Sequence, residues 1–296
     1  MQFALNAGPS LAAWNWGNQI VAQAVLRGWR VHDRDSAESL LLGQPDWLLC
    51  GPPETGADEA VDVVVLGPDF KAADLGGLDV AQLSERFAAR VLPDVEGTRW
   101  FSSAFVAAVA ARRMHLIDSE VSVIEIDGLG SLKRPDDLGE LRSGDPALGI
   151  YRNPLFVGAR AFWSSDLFAA AKHPILSGPA WLDVTGRAKS VAEEPGMQVL
   201  AGLWSIDWLI EVDPEGGFVE LVFQWGDQVF TKAIDRPGLY SVTQSAAWPD
   251  GGPAVARIAS SRPHFQGKVR FAGAAVTYLG AVLPQNRETL EPLEES

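Results

Sequence analysis

The chain has one cysteine, Cys50, among 296 residues. No intramolecular disulfide is open to it. Cys50 closes the apolar run DWLLC (46–50) and reads as a small buried hydrophobe. Basic residues are scarce: 24 Lys and Arg stand against 38 Asp and Glu, a formal net charge of −14. Such a surface repels phosphate backbones and anionic headgroups, so neither nucleic acid nor membrane insertion is expected. No apolar stretch approaches the ~20 residues that span a bilayer. The start, MQFALNAGPS, lacks the cationic segment and apolar core of a secretory signal. The expectation is cytoplasmic synthesis without a signal peptide, with any release as part of a particle. Also missing are G-x-G-x-x-G, G-x-x-x-x-G-K-[ST] and G-x-S-x-G.

What is present organises in two parts. At roughly 100–200 residues per domain, the length predicts two domains or one large one, and a core needing no disulfide or structural metal. Through residue 127, short strand signals alternate with helices: 2–6, 30–33, 46–50, 61–66 and 121–126 as strands, with helices from Gly17-Asn18, over 79–92 and over 98–116. Continuous Val/Leu runs between helices predict a parallel sheet buried on both faces, a Rossmann-like α/β layer. Residues 128–180, rich in Gly, Pro, Asp and Arg, read as a linker or lid. From 181 to 285 the helix signal disappears. Strands at 181–185, 197–201, 205–212, 217–225, 228–234, 238–243, 254–259 and 268–279 predict a β-sandwich, and 286–296 a charged tail. The fold class expected is therefore α/β plus all-β.

Three tryptophans crowd residues 204–225. Alternation places Trp204, Ile206, Trp208, Ile210 and Val212 on one strand face, which should be core. Trp225 ends its strand beside Gly226, from where it can reach past the sheet edge.

Four chemistries are open to these residues. Asn6–Ser10 follows the first strand and precedes a helix, a weak phosphate-binding signal. Asp33 and Asp35 form a D-x-D that would hold a divalent cation on a nucleotide sugar, or simply open a helix. Ser10, Ser102 and Ser103 are candidate nucleophiles beside the only imidazoles, His32, His115, His173 and His264. No two His or Cys have ligand spacing, so no metal and no cofactor are expected. The fourth is carbohydrate binding. Indole faces stack on the C–H faces of sugars, and planar polar groups meet their hydroxyls. SAAWPDGGPAVARIASSRPHF (245–265) supplies Trp248, Asp250, Arg257, Arg262 and His264, with Trp248 in a Pro/Gly turn. Trp225 is expected to join them, unless Trp248 plugs the end of the sandwich.

The segments HPILSGPAWLDV, DPEGG, IDRPGLYSV and GKVRFAGAAVTYLG follow one another from His173 onward. In layout they resemble the lectin-like jelly-roll modules found beside bacterial surface-polysaccharide glycosyltransferases. The resemblance implies a jelly-roll sandwich and glycan contact. The pattern departs after Gly178-Pro179, where AWLDVTGRAKS replaces the usual aromatic-plus-basic strand. The leading expectation is a non-catalytic protein that binds a bacterial surface polysaccharide, an adhesin or the spike of a phage-like particle, as a homo-oligomer or within an assembly. The alternatives are a glycosyltransferase-like enzyme taking a nucleotide sugar, and a scaffold without ligand.

Overall fold

The Val/Leu runs of the first third form a parallel sheet. The structure is a computed structural model that describes residues 2–7, 11–33, 47–50, 62–66, 75–87, 95–110, 114–117, 122–133, 145–152, 154–168, 181–264 and 266–282. Strands β1 (Gln2–Ala7), β2 (Arg30–Asp33), β3 (Trp47–Cys50), β4 (Asp62–Leu66) and β5 (Met114–Ile117) lie in the order β2-β3-β1-β4-β5, each pair parallel. This differs from the 3-2-1-4-5 succession of dinucleotide-binding sheets, so a Rossmann-like half is not what the described strands show. Helix α1 (Leu11–Leu26) buries Trp16, Ile20 and Ala24, spaced by four along one face. It starts six residues before the expected Gly17. It ends in a Schellman motif: Gly28, at φ +79°, donates to Val25 O, and Trp29 donates to Ala24 O.

Two expected elements change identity. The helix read over 98–116 is α3 (Val95–Ala110), and its supposed last turn is the edge strand β5. A four-residue apolar run, MHLI, has no periodicity to distinguish the two states, and sheet pairing decides. The strand read at 121–126 is β6 (Val123–Ile126), but it pairs antiparallel with β7 (Gly130–Lys133) in a separate hairpin. Of the helix read over 79–92, α2 (Val80–Phe87) is described. It opens with a reciprocal cap in which Asp79 N donates to Gln82 Oε1 and Gln82 N donates to Asp79 Oδ1.

The rest is a β-sandwich. Its strands are β8 (Arg160–Trp163), β9 (Trp181–Asp183), β10 (Ser190–Glu193), β11 (Gln198–Val199), β12 (Gly202–Asp213), β13 (Val219–Trp225), β14 (Gln228–Ile234), β15 (Gly238–Trp248), β16 (Gly252–Pro253), β17 (Ala256–Ser260) and β18 (Lys268–Gly280). The antiparallel pairs are nested: β13 with β14, β12 with β15, β11 with β16, β10 with β17, and β9 with β18. One long hairpin is thus rolled up, which is a jelly roll. One sheet runs β10-β17-β13-β14, the other β15-β12-β18-β8, with β9 also on β18. After residue 180 no helix occurs among the described residues. The stretch expected as a linker or lid needs correction at β8, which pairs with β18 and so belongs to the sandwich. Alternation fails to reveal it because three of its four residues, Ala161, Phe162 and Trp163, are buried on both faces. Phe162 faces outward, under α2, which also covers Leu209 and Ala275. The β12–β18 ladder bulges at Ala272, whose carbonyl accepts from Ser84 of α2. Gly273, at φ +128°, follows; a Cβ there would meet Phe162 at 2.6 Å.

Alternation places Trp204 and Trp208 in the core, as expected. The four fully buried indoles of this core, Trp163, Trp204, Trp208 and Trp225, all donate inward. Trp208 Nε1 donates to Gln244 Oε1 at 2.9 Å, and Gln244 Nε2 donates to Phe223 O and Gln228 O. Trp204 donates to Leu200 O at 2.8 Å, Trp225 to Trp204 O at 3.2 Å, and Trp163 to Ala147 O at 3.3 Å. Helix α3 is clasped to this body. Arg99 donates to Pro195 O and Leu167 O, Ser102 Oγ accepts from Gln198 N, and Thr98 donates to Asp145.

Two outcomes follow from this packing. Trp208→Ala removes a buried indole and strands Gln244 Oε1, so chemical denaturation should show a loss of about 3–5 kcal/mol. Asp145 accepts from Thr98 Oγ1 at 2.6 Å and Ala147 N at 2.9 Å, yet burial pushes its carboxyl above the ordinary 3.8. The unfolded chain therefore loses this proton first. The Asp145 contribution is whole below pH 3.8 and is lost as pH rises through the raised native value. Asp145→Asn should remove that loss, which subtracting the two stability–pH curves would show.

Candidate functional site

The outer face of the β10-β17-β13-β14 sheet is the candidate. Among the described residues no helix lies on it. Register assigns its rows. Glu193, Arg257, Gln224 and Val229 stand side by side in one row; Ser190, Ala259, Val222 and Thr231 form the next; Glu220 and Ala233 lie in the third. Ser190 Oγ is buried, so the floor proper is Ala259, Val222 and Thr231, crossing three strands, about 10 Å at ~4.8 Å per strand. Polar planar groups flank it. Arg257 Nε pairs with Glu193 at 3.2 Å on one side, and Arg262 Nη2 with Glu220 at 3.6 Å on the other. Gln224 and Glu220 are four residues apart, about 13 Å along the strand. Surface ion pairs contribute only ~0–1 kcal/mol each, so a ligand's hydroxyls compete with them at little cost.

One end of the second wall carries an aromatic. Phe218 is 42% exposed, and the Arg262 guanidinium sits 4.6 Å from its ring centroid. His264 meets the same ring edge-on. Its Nε2 accepts from Glu220 N at 3.4 Å, while its carbonyl accepts from Gly186 N. His264 is buried and ties the loop after β17 to β13, a positioning role.

The six expected site residues are divided by this geometry. Arg257 and Arg262 flank the floor, and His264 supports Arg262's end. Trp225 and Trp248 lie at the opposite end, where β13 meets the start of β17, and both are buried. Their ring centroids are 4.5 Å apart, and Trp248 Nε1 donates to Pro253 O at 3.1 Å. The expectation that Trp225 passes the sheet edge and that Trp248 offers an open face is corrected: each covers the other, and Gly226 leaves room for Trp248 beneath it. Asp250 is exposed in the turn after β15. Phe218 is a residue the sequence reading missed. Its signal is position, an aromatic directly after Gly216-Gly217 and out of phase with Val219 and Leu221.

The other candidates scatter. Ser102 is buried in α3, donating to Arg99 O and accepting from Gln198 N, which fits it for holding the helix against β11. Ser103 is on the same helix. His32, Asp33, Cys50 and His115 lie on described strands, but their side chains are outside the description, as are Ser10, Asp35 and His173 entirely. Among the described residues no group of three or more His, Cys, Asp or Glu is placed to hold a metal ion, and no helix is long and apolar enough to cross a membrane.

No protein-family model matches the chain. No curated protein matches it either. Among solved structures it is similar to a carbohydrate-binding module, CBM35, from Cellvibrio japonicus, at 11% identity over 43% of this chain and 89% of that one, with a TM-score of 0.26. A CBM36-1 domain of a multidomain xylanase from the hindgut metagenome of Trinervitermes trinervoides matches at 8% identity over 42% and 99%, with a TM-score of 0.29. A family 29 module, CBM29-2, complexed with mannohexaose matches at 9% over 43% and 95%, with a TM-score of 0.28. At these scores the fold assignment rests on the nested strand pairing itself.

Trp248→Ala should lower stability by about 3–5 kcal/mol, the cost of a large buried aromatic. An unchanged denaturation midpoint would return Trp248 to the surface.

Proposed function

We propose that the sandwich binds carbohydrate without catalysis, through the outer face of the β10-β17-β13-β14 sheet. The observation that carries this reading is the floor of Ala259, Val222 and Thr231 between the Arg257–Glu193 and Arg262–Glu220 pairs, over which no described helix lies. Small side chains let a flat, hydroxylated ring lie close to the sheet. The guanidinium, carboxylate and amide groups along both sides offer planar donors and acceptors. Phe218 adds an apolar face at one corner. The floor runs across the strands and is open along them only between its walls, so an extended chain suits it better than a compact monosaccharide. Walls with both signs of charge accept hydroxyls and charged substituents alike. The ligand class proposed is therefore a bacterial surface polysaccharide, which gives the chain the role of an adhesin or a particle's spike.

Val222→Lys places an ammonium on the floor while leaving the inward face of β13 intact. Affinity electrophoresis in gels containing xanthan, alginate, xylan or laminarin should show retardation of the native chain by at least one polymer. The variant should bind that polymer at least tenfold more weakly, a loss of ~1.4 kcal/mol or more, at an unchanged melting temperature. Equal retardation of the two proteins would sink the assignment.

A further inference from the structure

We infer that the opposite sheet carries a second carbohydrate contact centred on Trp181, which makes the chain bivalent. The inference rests on the carbohydrate reading of the sandwich, but on different residues. Of the tryptophan side chains whose burial is described, Trp181 alone is exposed, at 44%. It opens β9, where alternation sends Leu182 inward and Trp181 and Asp183 outward. Register lines up Trp181 beside Arg270, Arg270 beside Glu211, and Glu211 beside Leu239. The Arg270 guanidinium lies 5.5 Å from the indole centroid and donates to Glu211. The next row outward is charged throughout: Asp183, Lys268 and Asp213. On the other side α2 rises over Leu209 and Ala275. Trp181 thus sits on a shelf with a helix behind it and charges in front.

The chemistry of that shelf selects its ligand. An apolar protein surface docking on Trp181 would bury the Arg270–Glu211 pair beside it, and taking two charges from water costs several kcal/mol per ion before their attraction is counted. A sugar ring sets its C–H face on the indole and its hydroxyls against Arg270, Glu211 and Asp183, so nothing polar loses its partners. The two sheets of the sandwich are about 10 Å apart and face opposite ways. One rigid oligosaccharide therefore cannot occupy both sites. Two polymer chains, or two segments of one, can, and the second contact then adds avidity.

Calorimetric titration of the full chain with xylohexaose, cellohexaose and mannohexaose, together with N-bromosuccinimide oxidation and peptide mapping, tests this. The expected result is two ligands per chain for a hexaose that binds, falling to one in Trp181→Ala and to one in Val222→Lys. Trp181 should also be oxidised more slowly when that hexaose is present. A single ligand per chain, unaffected by Trp181→Ala and giving Trp181 no protection, overturns the second site and leaves the first standing. A single ligand lost in Trp181→Ala but kept in Val222→Lys overturns the face proposed above and keeps Trp181. If none of the three hexaoses binds, the second site falls, while the face proposed above stands or falls with the polymer gels.

Discussion

The sandwich depends on its indole N–H groups finding acceptors inside the core. A buried donor without a partner costs about 1–3 kcal/mol, so each tryptophan constrains the group it points at. Trp208 requires Gln244, and Gln244 in turn spends its amide on Phe223 O and Gln228 O, joining the two sheets. Trp204 fastens Leu200, Trp248 fastens Pro253, and Trp163 fastens the short turn at Ala147. With Trp204 O, which accepts from Trp225, four of the indole acceptors are backbone carbonyls, three of them outside the long strands. The tryptophans therefore hold the loops of one end to the core as well as filling it.

That arrangement decides which surfaces remain free. With Trp225 and Trp248 closing one end, neither is available for a ligand there. The inner faces are consumed by packing, and α2 takes the middle of one outer face through Leu83 and Phe87. The Ala272 bulge helps, since the strand bends and its carbonyl is released toward Ser84. Among the described residues no helix covers the outer face of the smaller sheet or the strip of the larger one beyond α2. Both regions carry guanidinium–carboxylate pairs across neighbouring strands.

Helix α3 ties the α/β part into the sandwich core, while α2 lies over one outer face. Arg99 reaches carbonyls on two separate segments, at Pro195 and Leu167, and Gly196 lies against its side chain, where a Cβ would come within 2.8 Å. Phe101 and Phe105 of the same helix enter the sandwich core beside Tyr151. Tyr151 donates to Gln198 O, and burial drives its phenol far above the ordinary range. It stays a neutral donor at any physiological pH. At this junction burial keeps Tyr151 neutral and raises the carboxyls of Asp145 and Asp166 above their ordinary value.

Much of this was determined by local pattern. The alternation in residues 204–212 and 219–225 places Trp204, Trp208 and Phe223 inside, because a strand's side chains have only two directions. The strand at 228–234 and the absence of a described helix beyond 180 follow from the same period. Arg257 and Arg262 were legible as polar groups near a surface, and MHLI, RAFW and SVAE were not legible as strands, being too short or too evenly apolar to show a period. Only the tertiary structure decided which tryptophans were available. Trp248, in a Pro/Gly turn, looks free, and Trp181, in a three-residue strand, looks ordinary. The sequence by itself settled which face each residue shares with its neighbours; rolling the hairpin settled what covers that face, because burial depends on strands dozens of residues away.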